Sequence, residues 1–165
     1  MKIVSALGSP VAWWIVLTPL ALWLLLVRRP KTAVFVAVTA LGSGLLNRIV
    51  KTLVDRTRPH LPHPVALAHG TSFPSGHTQA STVGFGLLVL VLGPWASARI
   101  RVWLWVCAAV CVALIGFSRI ALGVHYLSDV LGAVLIGGAW LLGMTAAFAA
   151  WRHPAQYAKS SAGRA

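Results

Sequence analysis

The stretch TSFPSGHTQASTVGFGLLVLVLGPW, residues 71–95, decides how this chain is read. A helix crossing a bilayer needs about 20 mostly apolar residues, within a range of about 17–25. The run from Ser75 to Pro94 has that length, yet it opens with Pro74-Ser75-Gly76-His77. A proline, a hydroxyl, a glycine and an imidazole at the head of an apolar run admit two explanations. One is a helix cap that happens to end in histidine. The other is an anion site with a proton donor built into it.

Outward from this run, the whole chain has the same character. Of its 165 residues 58% are hydrophobic and 10% charged, with a mean hydropathy of +0.82. Soluble domains sit near half apolar and about a quarter charged, so the composition implies an integral membrane protein. Four more segments qualify as spans: Pro10–Val27, Thr32–Val54, Ile100–Leu122 and Val124–Trp151. The expected fold is all-α, a polytopic membrane helix bundle of about five transmembrane helices in a single domain over 1–151. Residues 152–165, rich in Ala, Ser, Lys and Arg, are read as a flexible tail. The first run ends in Arg28-Arg29-Pro30-Lys31 and lacks a small-residue cleavage site, which reads as a stop-transfer flank and not a cleaved leader. Cys107 and Cys111, inside an apolar run, are expected to be small buried side chains.

Lys and Arg total 14, against two acids, Asp55 and Asp129. Nucleic acid is the reflex partner of such a charge, but these cations lie scattered through short loops with no basic stripe. Most read as topology signals. With five spans, one side holds Arg28, Arg29, Lys31, Arg99, Arg101, Arg152, Lys159 and Arg164, and the other holds Lys2, Arg48, Lys51, Arg56, Arg58 and Arg119. The excess of eight over six places the C-terminus in the cytoplasm and segment 55–76 outside. Trp13 and Trp14 at one face, with Trp95, Trp103, Trp105 and Trp151 at the other, fit two aromatic belts. Lys51, Arg56, Arg58 and Arg119 crowd the segments that carry both acids. Two carboxylates are too few to pair them, so an anionic ligand is implied.

Three polar clusters interrupt the apolar chain, all on one predicted side. The first is KTLVDRTRP, Lys51 to Pro59. Lys51 and Arg58 are seven apart and share a face if the helix persists; they read equally as snorkelling interfacial cations. Asp55 is expected to pair with Lys51 or Arg58. The second is Pro74-Ser75-Gly76-His77. The first N–H groups of a helix lack internal partners and, with the helix dipole, make an anion site. Gly76 lets a ligand approach the backbone, and His77 can hold or release a proton near neutral pH. The third is SRIALGVHYLSD, Ser118 to Asp129, where Gly123 breaks the fourth span from the fifth. His125 and Asp129, four apart, are neighbours on one helical face. A carboxylate on one ring nitrogen leaves the other as nucleophile or base; a structural His–Asp pair closing a helix start is the plainer alternative.

Lys51-x6-Arg58-Pro59, Pro74-Ser75-Gly76-His77 and Ser118-Arg119-x5-His125-x3-Asp129 together resemble the three-part signature of the type 2 phosphatidic acid phosphatase family, the lipid phosphate phosphatases. Vanadium haloperoxidases share it. The resemblance implies a site at the extracytoplasmic ends of spans two to five. His125 would be the nucleophile that forms a phosphohistidine, with Asp129 orienting it and His77 the proton donor and later the base. Lys51, Arg58, Ser75, Gly76 and Arg119 would bind the phosphoryl oxygens. It implies no metal and no cofactor. His60, His63 and His69 in the loop form only a weak metal pattern and read as solvated. The implied function is hydrolysis of a lipid phosphate in a bacterial cell membrane, with a polyprenyl phosphate or pyrophosphate, or a prenyl-linked phosphosugar, favoured over a phosphatidic acid or phosphatidylglycerophosphate type lipid. An anion channel or transporter is the alternative class, opposed by the absence of a repeat. A vanadate-dependent oxidant is opposed by the hydropathy.

Overall fold

Serine and proline set the helix starts. The computed structural model describes residues 1–59 and 70–152. Its elements are α1 (Lys2–Leu7), α2 (Pro10–Leu26), α3 (Pro30–Val54), α4 (Gly76–Leu92), α5 (Ala98–Ala121) and α6 (Leu127–Arg152), with a short 3₁₀ turn at Gly93–Trp95. Ser9 caps α2 by accepting from the Ala12 N–H at 3.1 Å, ahead of Pro10. Ser97 does the same for α5 through the Ile100 N–H. Pro30 opens α3, where its missing N–H costs nothing.

The all-helical expectation holds, and no strand occurs among the described residues. Among the described residues four helices are long and apolar enough to cross a membrane: α3, α4 with its 3₁₀ extension, α5 and α6. The chain is a multi-pass membrane protein. α2, at 17 residues, is shorter; it spans roughly 26 Å at the usual helical rise. α1 was not expected. It is one and a half turns packed against α5. The tail beyond residue 152 and the loop histidines His60, His63 and His69 lie outside the described residues.

The opening stretch becomes the centre of the bundle. α4 packs against α2, α3, α5 and α6, and 56% of its spanning window is buried, against 17% for α5. Lipid is as apolar as leucine, so helices in a bilayer associate through close packing at small residues and through hydrogen bonds. α4 supplies both. A methyl group at Gly84 would collide with the Trp13 ring, and one at Gly86 with Leu141. Trp13 also donates its indole N–H to Ser81 Oγ at 3.2 Å and sits edge-on to Phe85.

Trp13 is therefore core, 7% exposed, and no belt residue. At that face Trp14 alone of the two faces outward. At the opposite face Trp95, Trp103, Trp105 and Trp151 are exposed as expected, and Arg29 and Lys31 sit over the rings of Trp95 and Trp151. The cysteines also differ from expectation: Cys107 is exposed on the outer face of α5 and Cys111 is half-buried. A lipid-facing helix satisfies apolar side chains without protein burial.

Candidate active site

Two helix ends and one loop converge where the three clusters meet. α5 closes at Gly123, which takes φ 71°, a left-handed conformation that glycine adopts without strain. The Gly123 N–H donates to the Ile120 carbonyl at 2.8 Å and the Val124 N–H to the Arg119 carbonyl at 3.2 Å, the paired bonds of a Schellman ending. This turn sets His125 a fixed distance beyond Arg119. α6 begins at Leu127, three residues later than the sequence suggested, so His125 stands in the turn ahead of the helix.

Asp129 lies in the first turn of α6 and is fully buried. Its Oδ2 accepts from the Tyr126 N–H at 2.9 Å, an acid three residues into a helix reaching back to cap it. The same oxygen lies 3.4 Å from His125 Nδ1. Its Oδ1 pairs with Arg56 Nη1 at 2.9 Å. An ionised carboxylate only accepts, so Nδ1 carries the ring proton and the lone pair of Nε2 points away from it. Nε2 faces Arg58 Nη1 at 3.4 Å.

His125 is 4% exposed. Burial, reinforced by the guanidinium charges of Arg58 and Arg119, pushes its pKa down from 6.5 to about 4, against the opposing pull of Asp129. The ring is neutral at neutral pH, the state a nitrogen nucleophile requires.

The first cluster reaches the site differently than its spacing suggested. α3 ends at Val54, and Asp55 takes a left-handed φ of 41°. Lys51 and Arg58 therefore share no continuous helical face; Arg58 arrives through the following loop. The loop is pinned by Ser72, whose N–H and hydroxyl both bond the Arg56 carbonyl, the hydroxyl also reaching the Thr57 carbonyl at 3.0 Å. Lys51 donates to the Thr71 carbonyl at 2.8 Å, and Arg58 to the carbonyls of Gly70 and Val124 at 3.0 and 2.9 Å. The expected pairing of Asp55 with Lys51 or Arg58 does not occur. Asp55 is exposed, and the ion pair with Arg56 and the contact with His125 both fall on Asp129.

The second cluster starts α4. Ser75 is fully buried, and its Oγ accepts from the Thr78 hydroxyl at 3.0 Å. Its N–H donates to the Asp129 carbonyl at 3.1 Å, tying the head of α4 to the head of α6. A methyl group at Gly76 would meet only Asn47 Oδ1, at an ordinary 3.5 Å. Among the described residues nothing else comes near this glycine's open face. His77 is half-buried, and Arg119 and Arg58 are near enough for their charges to act on its ring. Arg119 donates from Nη1 to Ser5 Oγ of α1, while its Nε is buried with no partner among the described residues. A buried orphan donor costs about 1–3 kcal/mol, so this one stands ready for an acceptor. No group of three His, Cys, Asp or Glu side chains among the described residues is arranged to hold a metal.

Sequence reasoning missed two participants. Arg56 was counted among the crowded cations without a role, yet it holds Asp129, bonds Ser128 Oγ at 2.6 Å and stacks over Tyr126 at 4.2 Å. Ser5, on the unforeseen α1, positions Arg119. Neither carries a local pattern; the surplus of arginines over acids was the only signal for the first.

The fold and site define a membrane-embedded helical bundle with a cationic pocket around an imidazole–carboxylate pair. Residues 31–153 match the PAP2 superfamily, and the chain belongs to that superfamily. It is 33% identical over 96 residues to a phosphatidylglycerophosphatase B of Bacillus subtilis, covering 56% of this chain and 46% of that one. To a lipid A 1-phosphatase of Rhizobium etli it is 30% identical over 117 residues, 66% of this chain and 46% of the relative. To an undecaprenyl-diphosphatase of Sulfolobus acidocaldarius it is 29% identical over 133 residues, 78% and 59%. The chain thus spans about half the length of the curated relatives it matches. Its fold is similar to the crystal structure of a transmembrane PAP2 type phosphatidylglycerolphosphate phosphatase from Bacillus subtilis, with a TM-score of 0.79 at 24% identity over 88% of this chain and 73% of that one.

Proposed function

We propose that the protein hydrolyses a lipid phosphate through a phosphohistidine on His125, at a site facing away from the cytoplasm. The observation that carries this reading is the neutral, buried His125 ring, held by Asp129 at Nδ1 and facing a guanidinium at Nε2. A ring nitrogen whose lone pair is directed at the Arg58 guanidinium lies where a phosphoryl group held by that cation would meet it, with the resulting charge neutralised.

In the first step His125 Nε2 forms a bond to phosphorus as the lipid alkoxide leaves, taking a proton from His77. In the second, water attacks the same phosphorus, His77 accepts its proton, and His125 is released. Arg58, Lys51 and Arg119, with Ser75 and the open backbone at Gly76, hold the phosphoryl oxygens, whose charge grows in the transition state. Asp129 keeps the tautomer and balances the ring as it becomes cationic. The catalytic set is His125, His77 and Asp129. Membership in the superfamily and the activities its relatives are named for support a phosphate-ester substrate on a lipid.

Purified protein in detergent with EDTA, offered a panel of lipid phosphates, tests the proposal through released inorganic phosphate. The wild type is expected to turn over, and His125→Ala to lose at least about 10³-fold, the scale on which covalent catalysis fails when its nucleophile goes. Wild-type turnover in His125→Ala sinks the mechanism. No phosphate from any lipid in the panel returns the site to an anion-binding role.

A further inference from the structure

A cavity of about 570 Å³ opens between α2, α3 and α4, walled by apolar side chains such as Trp14, Leu17, Leu41 and Val83 and reaching Gly76 at the head of α4. Where it reaches Gly76 it is lined by two amides, Asn47 and Gln79. Their orientations are dictated by one backbone group. The Ser43 carbonyl can only accept, and Gln79 Nε2 lies 3.0 Å from it, so that atom is the donor. Gln79 Oε1 must then accept, and it does so from Asn47 Nδ2 at 2.9 Å. Asn47 is left with its Oδ1 turned toward Gly76, taking no hydrogen bond among the described residues.

This atom is an acceptor at the edge of a site otherwise made of donors. Phosphoryl oxygens are acceptors too and repel it. What satisfies it is a donor, and on the alcohol of a lipid phosphate the donor is a hydroxyl. Resting on the lipid phosphatase reading above, we propose that Asn47 reads a hydroxyl on the alcohol that carries the phosphate. The preferred substrate is then a phosphomonoester lipid whose headgroup has a hydroxyl beside the phosphorylated carbon, such as a glycerol or sugar phosphate. A plain polyprenyl phosphate lacks that donor. With its phosphoryl group at the head of α4, such a lipid places the hydroxyl at Asn47 and its chain in the apolar part of the same cavity.

The test compares kcat/KM for phosphatidylglycerophosphate and for its analogue with the headgroup hydroxyl replaced by hydrogen. The wild type is expected to favour the hydroxylated lipid about tenfold or more, because the analogue leaves the Asn47 acceptor unmet in the bound complex. In Asn47→Leu the ratio falls to near one; Asn47→Ala makes the same comparison where leucine does not fold. A wild-type ratio near one overturns the inference and leaves the phosphatase reading intact. A ratio that survives both substitutions overturns the role of Asn47. Release of phosphate from neither lipid by the wild type overturns both this inference and the reading it rests on.

Discussion

Asp129 serves three donors from one fully buried carboxylate: a backbone N–H, a guanidinium and an imidazole. Each has a different consequence, since the first caps α6, the second ties in the α3–α4 loop and the third sets the His125 tautomer. Removing Arg56 would leave the fully buried carboxylate without its cationic partner, which is costly and ties local stability to the site. His125 gives the clearest pH consequence. Its folded pKa, about 4, lies below the unfolded 6.5. The unfolded chain therefore takes up the proton first as pH falls. The stability His125 contributes is complete above about 6.5 and is lost as pH falls through 4. In histidine-labelled protein in detergent, the ring resonance that disappears in His125→Ala should titrate near pH 4; titration near 6.5 would show a solvated ring. That Arg58, Arg119, His125 and Asp129 would come together was legible because each stands in a short motif of the superfamily signature. Asp55 was misassigned because adjacency to Lys51 and Arg58 says nothing about the left-handed turn it takes where α3 ends.

At the scale of the element, α4 is where apolar character and small residues meet. Its run reads from sequence as a span of suitable length, and in the bundle four helices cover it. Gly84 is the contact where this is most exacting, because the Trp13 ring occupies the space a side chain would need. Gly84→Val should destabilise the protein by about 1–3 kcal/mol, the usual cost of overpacking, seen as a lowered Tm in detergent. Combining it with Trp13→Ala should recover part of the loss, since the two residues share one space. Full additivity of the two changes would contradict the contact. The helix ends show the other limit of sequence reasoning. Gly123 announces the end of α5 by its residue type, whereas the start of α6 at Leu127 depends on which residues Asp129 and Tyr126 bond.

The whole molecule is a bundle whose two ends differ. One carries the cationic site; the other carries exposed tryptophans with Arg29 and Lys31 over their rings. The proposed orientation puts the site outside the cytoplasm. With Cys107 and Cys111 replaced by alanine, a cysteine at exposed Thr57 should react with an impermeant reagent on intact cells, and one at Arg99 should be protected. The reverse pattern would invert the topology. Composition and run length alone determined that this is a helical membrane protein, because a bilayer accepts only long apolar segments whose backbone bonds are satisfied within them. The three motifs pointed to the groups that the structure brings to one end of the bundle, among them Arg58, Arg119, His125 and Asp129. What only the tertiary structure decided is which groups face one another. Arg56 and not Lys51 or Arg58 binds the buried acid, Ser5 holds Arg119, and a backbone carbonyl at Ser43 turns Asn47 toward Gly76. Those pairings join residues between 36 and 114 positions apart. Hydrogen bonds depend on distance and direction in space, and at such separations no periodicity along the chain encodes them.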